Sequence, residues 1–332
     1  MTWDVNMDAG FAALKEGRFA AAEPAFSAAV EEAEDFGPLS QMMEVSLDAL
    51  ARSQQAQEAH GRAEPVLRRL LEVRLKTLDV MDPKVLATLI NLGWACRMQK
   101  KYAEAESHYR IALGIAEATL PADDADLGMI LNNLAAVLGD EKLAEADALF
   151  SRAIQVWETA LGPNHQMVGS GLRGLAGVHM KQNRNEEAKV EFYRSLAIEE
   201  NSLGPEHPDL AHSLNNLSGV LMTLGEQDEA VRVLQRAIAI REKALGPNHV
   251  LVALSLCNLA AFIDTEGRIA EVEQLLLRAL PIFENGLGSD VVQLQIDALD
   301  QYASMLRKDK RPSEAEKIEA RANAIRAKGP NR

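Results

Sequence analysis

The feature that most restricts what this chain can fold into is a period. Leu161, Leu203, Leu245 and Leu287 lie 42 residues apart. Going backwards, Leu120 is 41 before Leu161, Leu78 is 42 before Leu120, and Phe36 is 42 before Leu78. Self-similarity at a fixed spacing of this length marks a stack of small units, each burying its apolar face only against its neighbours. Gly162-Pro163, Gly204-Pro205 and Gly246-Pro247 follow three of those leucines. A glycine suits the left-handed end of a helix, and a proline cannot continue one.

Within the unit that starts after Leu203, Leu214, Leu217 and Leu221 fall at i, i+3 and i+7, one face of a first helix. Gly225 permits a turn, and Ala230, Leu234 and Ala237 recur at i, i+4 and i+7 on a second helix. Small residues at the alanine positions let the two helices approach closely. The pattern returns at Leu92, Ala105 and Ala112, at Leu134, Ala146 and Ala153, and at Leu175 and Ala188. The copy around Leu134 lacks one residue near Gly139, which predicts a tighter turn there. Pro24 and Pro65 read as first-turn prolines of their second helices, where a missing N–H costs little. Pro281, late in its helix, predicts a kink or an early end. The chain thus divides into a degenerate first repeat over 1–39, an array over 40–288, and a capping repeat with a basic tail over 289–332.

Charge and composition narrow the function classes. A formal charge of −14 disfavours a general nucleic-acid binder, which needs excess Lys and Arg against phosphates. From Arg307 to the end, nine basic residues face four acidic ones, which reads as a solvated capping pair or as a docking tail. No run of apolar residues is long enough to span a membrane, so no membrane partner is expected. The start, MTWDVNMDAG, has neither a basic nor an apolar leader region, so a soluble cytoplasmic protein is expected. Cys96 and Cys257 match no metal or disulfide spacing and read as two buried thiols.

Tests for chemistry are negative. Gly169-Ser170-Gly171-Leu172-Arg173-Gly174 matches a dinucleotide fingerprint, but its register lies inside a helix with no strand before it. His165, His207 and His249 repeat at 42 and read as helix-start residues, since residues one repeat apart do not converge on a metal. Asp123, Asp124 and Asp126 read as a solvated helix start, which the helix dipole favours. No cofactor, no metal and no enzymatic activity are expected.

LNNLAAVL (131–138), LNNLSGVL (214–221) and CNLAAFI (257–263), with the LGPxHP linker, resemble the tetratricopeptide repeat of the 42-residue kinesin light chain type. The resemblance runs over residues 40–328. It implies an all-α, right-handed superhelical solenoid of about seven to eight helix-turn-helix repeats, whose first helices line a concave groove holding an extended peptide.

On that reading the groove candidates form columns. The column one residue before the first-helix leucine reads Asp8, Ala49, Asn91, Asn133, Gly174, Asn216, Asn258 and, in the cap, Gln301; one earlier stand Asn132, Arg173 and Asn215. An amide both donates and accepts, so a row of them can grip a peptide backbone of any sequence, or can bond neighbouring helices and set their pitch. Two residues past the leucine stands Trp94, either a groove anchor or packing between repeats. Arg97, Arg173 and Lys181 point to a ligand with an acidic residue. Trp157, in a column with Ala116, Glu199 and Arg241, is expected to be exposed. The function expected is a non-enzymatic scaffold binding an extended segment of a partner protein. The alternative is a regulatory or sensor subunit of an enzyme complex, such as a protease or NTPase, docking by its outer surface.

Overall fold

The computed structural model of the chain describes residues 2–264, 268–286 and 288–328. Leu287, one mark of the period, and the last four residues of the basic tail lie outside them. Among the described residues there are sixteen α-helices and no strand, arranged as eight pairs: α1 (Trp3–Lys15), α2 (Phe19–Ala33), α3 (Gln41–Ala56), α4 (His60–Thr77), α5 (Pro83–Met98), α6 (Tyr102–Thr119), α7 (Ala125–Ala135), α8 (Leu143–Leu161), α9 (Gln166–Lys181), α10 (Asn185–Leu203), α11 (Leu210–Thr223), α12 (Gln227–Leu245), α13 (Val250–Ile263), α14 (Ile269–Glu284), α15 (Ser289–Lys308) and α16 (Pro312–Lys328). The architecture is the all-α helical repeat solenoid that the period predicts. None of these helices is long and apolar enough to cross a membrane.

The chain forms two compact units, Met1–Met167 and Val168–Arg332. In the first, the helices of a pair meet where a small residue on the first faces a large one on the second. A methyl group added at Gly93 would lie 2.7 Å from the Tyr109 ring, and one at Gly10 would lie 2.4 Å from Phe26. Both rings are fully buried. In the second unit a continuous core runs from Ala176 to Ala322 through Phe192, Leu217, Leu234, Leu259, Leu276 and Leu299, one from each helix.

Six pairs share one connection: three residues, the middle one left-handed (Gly17, Glu58, Lys100, Asn183, Gly225 and Lys310). In each, the next N–H reaches back to the last turn of the first helix, as Lys101 N does to Cys96 O at 2.9 Å. The fourth pair departs from this, and not as a tighter turn. With one residue fewer it cannot place the left-handed residue, so α7 stops at Ala135 and residues 136–142 form a longer link with a short 3-10 turn. The prolines of the first two pairs also sit deeper than the sequence reading has them. Pro24 and Pro65 are each the sixth residue of their helix, because the helices start directly after the turn. Pro281 ends its helix early, at Glu284.

The linkers behave as read. His165, His207 and His249 each accept, through Nδ1, the backbone N–H two residues on, at 3.2, 3.3 and 3.2 Å. Asp124 does the same for α7. The Gly169–Gly174 fingerprint lies within α9. Cys96 is buried, whereas Cys257 is only partly so. The basic residues near the end are paired: Arg307 with Glu319, Lys308 with Asp264, and Arg311 with Glu273 and Glu314.

Candidate functional site

In the first unit, Asn91, Trp94 and Arg97 follow one another at three-residue steps along α5, so they share a face. Trp94 is 38% exposed. The Arg97 guanidinium lies over its ring at 5.3 Å from the centroid, and the His60 ring meets it edge-on at 6.5 Å. The indole is therefore held upright at the surface by a cation and an imidazole instead of being packed into the core. Asn91 on α5 and Asn132 and Asn133 on α7 are half-buried, and their amides have no hydrogen-bond partner among the described residues.

In the second unit the corresponding amides are bonded within the chain, two of these contacts running between helices. Asn258 on α13 donates to Asn215 Oδ1 on α11 at 3.3 Å, and Asn216 donates to His212 Nε2 one turn away at 3.2 Å. Gln301 on α15 donates to the Cys257 carbonyl at 3.1 Å. Arg173 on α9 pairs with the buried Glu199 of α10 at 2.6 Å, so its charge is already answered within the chain. Lys181, the last residue of α9, is exposed. The structure thus brings Asn91, Trp94 and Arg97 together, leaves Asn132 and Asn133 beside each other on α7, gives Asn215 and Asn258 a helix-to-helix role, and bonds Asn216 to His212 within α11.

The second helices carry a column that was misread from the sequence alone. Trp157 is not exposed: only 2% of it is accessible, and Nε1 donates to Ala125 O at 3.0 Å. It is seated over Gly128, where a methyl group would come within 2.6 Å of the indole. The same position in the second, third, fifth, sixth and seventh repeats holds Arg74, Ala116, Glu199, Arg241 and Phe283, all buried. Polar and charged residues there mark an inward face with internal partners, not a solvated one. Arg74 illustrates it: its guanidinium reaches Glu44 at 3.1 Å and Asp48 at 3.0 Å on α3, and Thr88 Oγ1 at 2.7 Å and Lys84 O at 3.1 Å on α5.

The family is decided by the repeat itself. Tetratricopeptide repeat models match residues 85–126 and 127–166 and, in a second form, 167–243 and 218–285. Together they cover 85–285, more than half of the 332 residues. The chain belongs to the tetratricopeptide repeat family. No curated protein matches it. Among solved structures, this tetratricopeptide protein is similar to a kinesin light chain from Podospora anserina with nearly identical repeats, at 23% identity and a TM-score of 0.53, covering 63% of this chain and 97% of that one. It is similar to a Rap protein complexed with competence and sporulation factor, at 15% identity and a TM-score of 0.56, over 98% of both chains. It is also similar to aspartyl phosphate phosphatase F from Bacillus subtilis, at 15% identity and a TM-score of 0.62, covering 90% of this chain and 75% of that one. At these identities the likeness establishes the fold.

One group of potential metal ligands occurs among the described residues: Glu64, Cys96 and Glu104, with their ligand atoms within 4.8 Å of one another. Arg68 already bridges both carboxylates, and Lys101 and Gln99 hold Glu64 at 2.6 and 2.8 Å. Burial also pushes the Cys96 thiol up, away from the thiolate that a metal requires. The group works as an internal ion-pair network between α4, α5 and α6.

Proposed function

We propose that this tetratricopeptide protein is a non-enzymatic scaffold that holds an extended segment of a partner protein against the face of its first helices. The observation that carries the reading is the surface of α5 and α7. There a Trp94 ring stands partly out of the surface on the face of α5 that carries Asn91, and Asn91, Asn132 and Asn133 have no hydrogen-bond partner among the described residues. An aromatic anchor supplies affinity, and amides supply sequence-independent backbone contacts. Asn215, Asn216 and Asn258 extend the same columns in the second unit. Each amide has two donors and an acceptor oxygen and uses only part of that capacity on its neighbour.

Arg97, beside Trp94, favours a segment with an acidic residue. The whole chain is acidic, but charges beyond a Debye length of about 8 Å are screened, so the nearby cation decides. A Rap protein with this repeat fold has been solved with competence and sporulation factor, which fits a fold suited to holding a partner.

The test is selection of a displayed random-peptide library on the full chain, with each selected peptide measured again on Trp94→Ala and on Asn133→Ala. The proposal expects peptides enriched in acidic residues that bind wild type and bind both variants at least fivefold more weakly. Peptides that bind all three proteins equally, or no enrichment at all, overturn it.

A further inference from the structure

The buried arginines Arg74 and Arg241 occupy the same position in the second and sixth repeats, and their surroundings differ in one respect. On the side of the following repeat they match: Arg74 donates to Lys84 O and Thr88 Oγ1, and Arg241 donates to Leu251 O at 3.1 Å and to Ser255 Oγ. On the side of their own first helix they do not. Arg74 has Glu44 and Asp48, whereas the matching positions on α11 are Ala211 and Asn215. Asn215 Oδ1 already accepts from Asn258. The fifth repeat holds the pair with its charges exchanged, Arg173 in the place of Asp48 and Glu199 in the place of Arg74. Arg241 is thus a guanidinium, 6% exposed, with no ion-pair partner among the described residues. Its Nε and Nη2 have no acceptor among them.

Arg241 lines a cavity of about 500 Å³ together with Arg173, Asp209, Ala211, His212 and Leu251. Asp209, on its rim, is turned to solvent and to His207, 3.7 Å away. Partial enclosure and the two guanidinium groups, Arg173 and Arg241, hold His212 below its usual range, so at neutral pH it is an uncharged hydrogen-bonding ring. A guanidinium without a counter-charge in such a place is costly, and the planar fork of an arginine matches a carboxylate.

We infer that this cavity binds a carboxylate group, seated on the Nε and Nη2 edge of Arg241 as Glu44 and Asp48 are seated on Arg74, with Arg173 and His212 at its rim. The carboxylate is either an acidic side chain of a peptide or a small free carboxylic acid. The site lies on α9, α11, α12 and α13 and does not depend on the proposed peptide surface of α5 and α7, so its failure would leave that reading standing.

Calorimetric titration of the full chain with glutarate and with the blocked peptide acetyl-Gly-Glu-Gly-amide tests it, with the Gln peptide as control. Wild type is expected to bind glutarate, the Glu peptide or both, and not the Gln peptide. Binding of the peptide alone names a protein side chain as the source, and binding of glutarate names a free acid. Arg241→Met and Ala211→Glu are each expected to weaken that binding at least tenfold. Ala211→Glu supplies the missing carboxylate from within, so its melting temperature should equal or exceed that of wild type, which keeps the test valid if Arg241→Met does not fold. No binding of either probe by wild type, affinity in Ala211→Glu within threefold of wild type, or a lowered melting temperature for Ala211→Glu overturns the inference.

Discussion

Replacing Gly128 by alanine should destabilise the fourth repeat, although alanine is the better helix former by about 1 kcal/mol. The added methyl group would sit 2.6, 2.8 and 2.9 Å from Nε1, Cδ1 and Cε2 of Trp157, three atoms of a rigid ring. The indole is 2% exposed and has no open side to move toward. Overpacking of this kind costs about 1–3 kcal/mol. A displaced ring also loses its 3.0 Å bond to Ala125 O, worth about 0.5–1.5 kcal/mol. Set against the propensity gain, the net loss is roughly 1–3 kcal/mol. Trp157→Phe alone should cost a similar amount through lost volume and the lost N–H. In the double variant the smaller ring leaves room for the methyl group, so the two losses should fall short of additive by about 1 kcal/mol or more. Urea unfolding of the four proteins, followed by circular dichroism, measures the cycle. A Gly128→Ala variant as stable as wild type or more so would refute the reasoning, because helix propensity alone would then account for the site.

Three further outcomes follow from the structure. Burial alone would raise the Glu64 carboxyl, but hydrogen bonds from Lys101, Arg68 and Gln99 hold it down to about 2. Its contribution is therefore complete above its unfolded value of about 4.5 and is lost as pH falls from there toward about 2. With cationic partners some 40% exposed, this amounts to roughly 1–2 kcal/mol, and Glu64→Gln should remove that part of the acid sensitivity in pH-dependent unfolding. Lys100 and Asn183 hold the left-handed turn at φ of 60° and 61°, where Gly17 and Gly225 stand in other repeats, so Lys100→Gly or Asn183→Gly should each raise stability by about 0.5–1 kcal/mol; a loss would contradict the turn assignment. Burial raises the Glu199 carboxyl, and Arg173 opposes that rise, so Arg173→Met should cost near the low end of about 3–5 kcal/mol at pH 7, since Arg173 is one-third exposed. The defect should shrink as pH falls and Glu199 takes up a proton, and a pH-independent loss would rule out the buried pair.

The repeat, its boundaries and most turn positions were legible because they depend on local chemistry repeated eight times. A leucine, a glycine or a linker histidine says the same thing in each copy. The second-helix column was not legible, because a single helix does not reveal which of its faces the next repeat will cover. Trp157 looked exposed beside Glu199 and Arg241, yet those charges are buried with internal partners. A signal was present nonetheless: Asp48 with Arg74 in one repeat and Arg173 with Glu199 in another are the same pair with exchanged signs, and Gly128 opposite Trp157 is a small residue facing a large one. The recurrence of the asparagines was visible in the sequence, but not that Asn215, Asn216 and Asn258 bond within the chain while Asn91 and Asn133 have no partner among the described residues. That difference depends on which neighbour, in the next repeat or on the same helix, each amide can reach and on which rotamer it adopts.

The central claim is that the first-helix face of α5 and α7 holds a peptide backbone through Asn91 and Asn133. The most direct measurement takes a peptide selected on the wild-type chain and determines its affinity and the protein's melting temperature on one double variant, Asn91→Ala with Asn133→Ala. Neither amide has a hydrogen-bond partner among the described residues, so melting should be unchanged. Two lost amide–backbone hydrogen bonds at about 0.5–1.5 kcal/mol each should weaken binding roughly fivefold to a hundredfold. A clear fall in melting temperature with unchanged affinity would contradict the account and leave the asparagines a purely structural role.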